Sequence, residues 1–312
     1  GRSQLISQGE IKGKLNEITI IHSQGKLPAD RVAVAGLGKQ PELTQDKVRG
    51  AVAETCRQLR QKGVDSVATA AQGAGIAGIS LETAVQAVTE GVLLGTYTFR
   101  RHITKVAEHG EMKQFLIVTS HKTELSSLEK GCYKGRILAE ATNLARDMVN
   151  EPANYMTPGH MADTATKLAE THGLEISVLE REQMQELGMG ALLGVTQGSR
   201  QPPKFIILRY QGSHSAEIDM ALVGKGITFD AGGISIKPSE KMEEMKGDMA
   251  GGAAVIAAMG ALAQLKPKIN AMAAIPCAEN LPDSKAIKPG DILAAINGKT
   301  IEIISTDAEG RL

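Results

Sequence analysis

Met220-Ala221-Leu222-Val223-Gly224-Lys225-Gly226-Ile227-Thr228-Phe229-Asp230-Ala231-Gly232-Gly233-Ile234-Ser235-Ile236-Lys237 runs from a short apolar segment into a glycine-dense one. Beyond it, a helix is expected from about Met249 to Leu265 and a strand over Ile269–Ile275. Strand, loop, helix and strand in that order indicate an α/β protein with a largely parallel sheet. Upstream, Glu175–Leu179, Lys204–Tyr210 and Asp219–Val223 read as strands, and Thr157-Pro158 supplies an N-cap and a first-turn proline for a helix to about His172. Nearer the start, Glu17–His22, Arg31–Gly36, Ser66–Ala70 and Gln114–Thr119 read as strands, with Thr44–Lys62 and Ser80–Gly95 as helices. Between the two sets, Glu124–Val149 places Leu128, Ile137, Leu138, Leu144, Ala145 and Val149 at helical spacing before Pro152. The expected division is an N-terminal α/β domain over residues 1–123, a connector helix over 124–152 and a C-terminal α/β domain over 153–312.

The chain has 312 residues, 42% of them hydrophobic, enough for two cores at roughly 150 residues per domain. Thirty-five basic residues balance thirty-five acidic ones, and the pI is about 7.2, so no overall field draws in nucleic acid or an anionic membrane. Cys56, Cys132 and Cys277 form no C-x-x-C pattern, which argues against a disulfide framework or a cysteine zinc site and for a reducing, cytoplasmic setting. No apolar run is read as approaching the roughly eighteen residues that cross a bilayer, and Gly1-Arg2-Ser3-Gln4 leads into no signal-peptide core. A soluble protein is expected. Aromatic residues make up 3% and tryptophan is absent, so stacking platforms for bases or sugars are scarce.

Several familiar motifs fail on context. Gly73-Ala74-Gly75-Ile76-Ala77-Gly78 fits G-x-G-x-x-G, but the helix starts only at Ser80 and Gly95–Arg100 offers no acid for a ribose, so a tight turn is expected. Gly298-Lys299-Thr300 resembles a P-loop ending without its leading glycine, and Ile301–Ile304 alternates like a strand. The histidines form no H-E-x-x-H and the serines no G-x-S-x-G, which removes the histidine-zinc protease and the serine hydrolase.

What survives is a set of charges on glycine-rich backbone. Lys225, Asp230 and Lys237 lie beyond the carboxyl end of a strand, where ligands collect in open α/β sheets, and Asp248 follows in Met245-Lys246-Gly247-Asp248. The chain closes on Thr306-Asp307-Ala308-Glu309-Gly310-Arg311, whose alternate side chains would share one face if extended. Each carboxylate alone reads as a solvated loop residue. Together they repel unless a cation intervenes, and a metal pair about 3.5–4 Å apart, Mg²⁺, Mn²⁺ or Zn²⁺, answers that better than lysines alone. A lysine beside two dications can lose its proton and act as a nitrogen ligand or an acid–base group.

These residues resemble the cytosol (leucyl) aminopeptidases, the M17 metallopeptidases. The hallmark Asn-Thr-Asp-Ala-Glu-Gly-Arg-Leu stands here as Ser305–Leu312, and Gly224–Lys237, Met242–Gly252, Pro276–Asp291 and Asn143–Pro152 are also similar to family sequence. Val34-Ala35-Gly36-Leu37-Gly38-Lys39 resembles the family's N-terminal domain. The resemblance implies an N-terminal α/β domain and a catalytic α/β metallopeptidase domain. It further implies that Asp230 and Glu309 bridge two metals, that Lys225 and Asp248 complete the tighter site and that Asp307 completes the more exchangeable one. Lys237 would polarise the scissile carbonyl, and Arg311 would hold a bicarbonate ion as general base. Met245 would line the pocket for the first side chain, beside its plain reading as a core methionine. The implied activity is release of N-terminal residues, leucine-type preferred, from peptide substrates by a cytoplasmic homohexamer.

Ser305 departs from the family's Asn, and altered support of the Asp307 loop or of substrate is expected there. The chain stops directly after the signature, so the resemblance implies either a fragment of the enzyme, its catalytic domain truncated at the C-terminus and the chain inactive by itself, or a shortened relative. A non-catalytic or DNA-binding role is the second reading; zero net charge and the lack of a basic run argue against it.

Overall fold

Thr44, Ser80 and Thr157 start helices as their side chains dictate, each hydroxyl accepting a hydrogen bond from the amide three residues on. In the computed structural model, which describes residues 6–106 and 110–312, the chain forms two compact units, Gly1–Glu140 and Ala141–Leu312. Gly1-Arg2-Ser3-Gln4, read above for a leader, lies outside the described residues.

In the first unit, β1 (Ile18–His22) and β2 (Arg31–Ala35) form an antiparallel hairpin. After α1 (Gln45–Gln61), β3 (Ser66–Thr69) and β4 (Gln114–Ile117) pair in parallel, joined through α2 (Leu81–Gly95). The expected strands are therefore present as two separate two-stranded sheets. Val48, Val52, Cys56, Ala84, Ala87 and Val88 form the core. Gly91 and Gly95 allow α2 to lie against α1, since a Cβ at either would stand 2.6 Å from the backbone of Arg49 or Ala53. Gly73, Gly75 and Gly78 all take positive φ in the turn before α2, as a tight turn requires. The stretch expected as a connector contains α3 (Leu125–Asn150), whose residues divide between the two units after Glu140.

In the second unit, α4 (Pro158–His172) leads to β5 (Glu175–Leu179) and the short helices α5 (Arg181–Glu186) and α6 (Gly190–Val195). Then come β6 (Lys204–Gln211), β7 (Met220–Val223), β8 (Gly226–Asp230), α7 (Ala250–Leu265) and the long β9 (Asn270–Asn280). β5 pairs antiparallel with β6 and β6 antiparallel with β9, while β7 and β8 run parallel to β9. The sheet is mixed rather than largely parallel, because strand direction is set by loops and partners that no local pattern encodes. Met161, Ile206, Leu208, Ile256, Met259 and Ile275 fill the layer under α4 and α7; Met184, Leu192, Val195, Ile227 and Ala278 fill a second cluster with α5 and α6. A hairpin of β10 (Ile292–Ala294) and β11 (Thr300–Glu302) turns at Gly298, φ +80°, which disposes of the P-loop resemblance.

β8 occupies part of the expected glycine-rich loop. Its register against β9, Gly226 opposite Cys277, keeps the offset of Val223 opposite Ala274, since 277 − 226 and 274 − 223 are both 51. The Gly224 amide bonds to the Ala274 carbonyl at 3.1 Å, which makes the Gly224 carbonyl the acceptor for the amide of residue 276. Pro276 has no N–H to give, and the ladder lapses there. The Lys225 carbonyl, on the side away from β9, accepts the Gly252 amide at 2.7 Å, in the first turn of α7. A Cβ at Gly224 would stand 2.6 Å from the Gly251 carbonyl, so the strand and the helix end meet closely at this break.

Contrary to the expectation from sequence, the run Met242–Leu265 is long and apolar enough to cross a bilayer by length and composition. Half of that window is buried within the protein, with Ile256 and Met259 in the core.

Cys56 and Cys277 are buried and Cys132 is half-buried. Burial pushes the Cys56 thiol up to about 12 from an ordinary 9.0, and burial raises Cys277 as well. In native protein a disulfide reagent should therefore label Cys132 alone at pH 8, and all three thiols after denaturation. Because the unfolded thiols ionise first, the two buried cysteines should make stability fall as pH rises above about 9. Rapid native labelling of all three would contradict this.

Candidate active site

The residues singled out in the sequence come together at the carboxyl end of β8. Asp230 is its last residue and is 3% exposed; Lys225 sits in the break before it, and Lys237 follows a tight loop pinned by its own amide to the Ala231 carbonyl at 3.0 Å. Gly232 and Gly233 take φ +85° and +63°, and a Cβ on Gly232 would lie 3.2 Å from Asp307 Oδ1, so glycine serves both backbone and space. Asp248 arrives on the 3₁₀ segment Met242–Met249. Asp307 and Glu309 arrive on a turn, with Glu309–Arg311 a 3₁₀ helix. The extended geometry expected for Asp307–Arg311 is thus corrected: the turn, not a strand, points Asp307 and Glu309 inward.

Two lysines thread the carboxylates. Lys225 Nζ lies 2.6 Å from Glu309 Oε1 and 2.7 Å from Asp248 Oδ2, an ion pair with each. Lys237 Nζ lies 3.0 Å from Asp230 Oδ2 and pairs with Asp307 Oδ1. Burial opposes charge on both lysines, and the carboxylates overcome it, holding each ammonium above its ordinary range. Gly310 leaves room for Lys225, since a Cβ there would stand 3.2 Å from its Cε.

One oxygen each of Asp230, Asp307 and Glu309 can be chosen so that all lie within 4.8 Å of one another. Glu309 Oε2 is buried without a hydrogen-bond partner, a costly arrangement for a carboxylate, while Asp248 Oδ2 is buried with the Lys225 ammonium beside it at 2.7 Å. Hard oxygens at this spacing with unused lone pairs suit divalent cations. Of the other two expected residues, Met245 is half-buried in the 3₁₀ segment that carries Asp248, and Arg311, in the 3₁₀ helix that carries Glu309, is exposed and forms no ion pair among the described residues.

Three residues with no role assigned from sequence organise the site. Thr306 Oγ1 donates to the Gly232 carbonyl at 2.6 Å and accepts from the Ser235 amide at 2.8 Å, while Ser235 Oγ accepts from the Thr306 amide at 3.2 Å. Asn280, at the end of β9, donates to both Asp230 and Thr306. The signal available in sequence was a polar residue ending a long apolar strand.

Residues 143–312 match the model of the cytosol aminopeptidase family catalytic domain, and residues 2–105 that of its N-terminal domain. This chain belongs to the cytosol aminopeptidase family. It is 46% identical over 311 residues to a probable cytosol aminopeptidase of Alkaliphilus oremlandii, covering 99% of this chain and 62% of that protein. It is 47% identical over 313 residues to a probable cytosol aminopeptidase of Solibacter usitatus, covering 100% of this chain and 63% of that one. The chain thus spans a little over three-fifths of these relatives. Among solved structures, the bottromycin maturation enzyme BotP in complex with Mn superposes with a TM-score of 0.86 at 33% identity, over 99% of this chain and 63% of BotP. Within this family framework, the Ser305 hydroxyl accepts the Asp307 amide at 3.3 Å and so supports the turn that carries Asp307.

Proposed function

We propose that this chain carries the two-cation centre of a leucine-type aminopeptidase, Asp230 and Glu309 bridging, Lys225 and Asp248 completing one site and Asp307 the other. The observation that carries this reading is the convergence of Asp230, Asp307 and Glu309, with the buried Glu309 Oε2 left without a hydrogen-bond partner beside them. When bound, Mn²⁺ or Zn²⁺ would supply Lewis acidity and an activated water.

The chain's own residues do the rest. Lys225 has its nitrogen already between Asp248 and Glu309, and ligation there requires that it give up its proton. Lys237 keeps its charge and presents an ammonium to the oxygen on which negative charge develops. Arg311, exposed and two residues beyond Glu309, offers a planar fork that suits bicarbonate, which would take the proton of the attacking water. The acids that hold cations also accept the substrate's free amine, which restricts cleavage to the first residue. Peptides are the substrates, leucine-type residues the preferred ones, and a cytoplasmic homohexamer the working form.

Titration calorimetry with Mn²⁺ and Zn²⁺, with leucyl-anilide hydrolysis measured on the same samples, tests this. Binding of two cations and chelator-sensitive release of the anilide are expected. A folded sample that binds no cation would overturn the reading.

A further inference from the structure

We infer that Asn280 is a positioning residue that occupies one oxygen of Asp230, leaving the other to face any cation, and clasps together the loops bearing Asp230 and Asp307; this rests on the two-cation reading above. Asn280 is 2% exposed, and its Nδ2 donates to Asp230 Oδ1 and to the Thr306 carbonyl, each at 2.9 Å. Both amide protons are therefore committed, one to each loop. The Gly232 amide donates to the same Asp230 Oδ1, also at 2.9 Å. A carboxylate oxygen has about two in-plane acceptor positions, so Oδ1 is filled from within the protein. Only Oδ2, now 3.0 Å from Lys237 Nζ, is left to face the pocket.

The orientation of the amide is fixed by its neighbours. Turned over, Asn280 would set its own oxygen against Asp230 Oδ1 and the Thr306 carbonyl, three acceptors with no proton among them. Gly233 completes the seat: a Cβ there would lie 2.8 Å from Asn280 Oδ1 and 3.0 Å from Thr306 Oγ1. The Ala231 amide bonds to the Asn280 carbonyl at 2.9 Å, so one residue holds the Asp230 loop by both backbone and side chain. Partners that orient a ligand in this way commonly carry 10–100-fold in metal affinity.

The test compares Mn²⁺ titration calorimetry and thermal melting of the metal-free protein for the unaltered chain, Asn280→Asp, Asn280→Ala and Met259→Ala. Asn280→Asp keeps the shape and removes both donors, so it reports even if the alanine variant fails to fold. Met259→Ala opens a cavity in the core, where Met259 is fully buried, and serves as a control for general destabilisation. Both Asn280 variants should raise the Mn²⁺ dissociation constant by about 10–100-fold, while Met259→Ala lowers the melting temperature and leaves that constant within about twofold. Unchanged Mn²⁺ binding in the Asn280 variants, or an equal loss in Met259→Ala, would overturn this inference alone. Failure of the unaltered chain to bind Mn²⁺ would remove the two-cation reading and this inference with it.

Discussion

Glu309→Gln is expected to weaken Mn²⁺ binding by more than the 10–100-fold typical of an outer partner, because it alters a proposed ligand. Glu309 is 5% exposed, with Oε1 held by Lys225 at 2.6 Å and Oε2 unpartnered. An amide of the same shape removes the charge that would bridge two cations and turns an N–H₂ toward either the pocket or the Lys225 ammonium. Either orientation puts a donor where an acceptor is needed. The metal-free fold should change little, because Lys225 keeps Asp248 as its partner at 2.7 Å and part of its side chain remains in water. Calorimetry beside a melting curve separates the two effects; binding within threefold of the unaltered chain would exclude Glu309 as a ligand.

Lys237→Met should do the reverse, sparing cation binding and removing turnover. The ammonium holds Asp230 Oδ2 and Asp307 Oδ1 in the cation-free protein, so its loss frees two acceptors and Mn²⁺ should bind at least as tightly. Loss of one fixed donor to a developing oxyanion costs about 10²–10³ in kcat. KM should move far less, since the interaction strengthens only as charge builds on the substrate oxygen. Leucyl-anilide kinetics at saturating Mn²⁺ read both constants. If cation binding fell together with kcat, Lys237 would be a structural counter-ion rather than a group acting on substrate.

The helices were legible because their starts are local chemistry: Thr44, Ser80 and Thr157 announce themselves within four residues. Lys225, Asp230, Lys237, Asp248, Asp307 and Glu309 were legible as a set, because like charges crowded on glycine backbone call for a common partner. The direction of β6 was not, since it depends on neighbours from β5 and β9 that lie far off in the chain. Nor was β8, where two flanking glycines masked an Ile-Thr-Phe run well suited to a strand. Asn280 escaped for a different reason: it carries no charge, and its partners lie 50 and 26 residues away.

The lapse in pairing opposite Pro276 bears on how such a protein can be altered. An ordinary amide at that point would have the Gly224 carbonyl as its acceptor and would join β7 to β8 in one unbroken ladder at the same offset, stiffening the backbone from which Lys225 reaches Asp248 and Glu309. Any redesign that regularised this sheet for greater robustness would remove the break between β7 and β8 from which Lys225 projects.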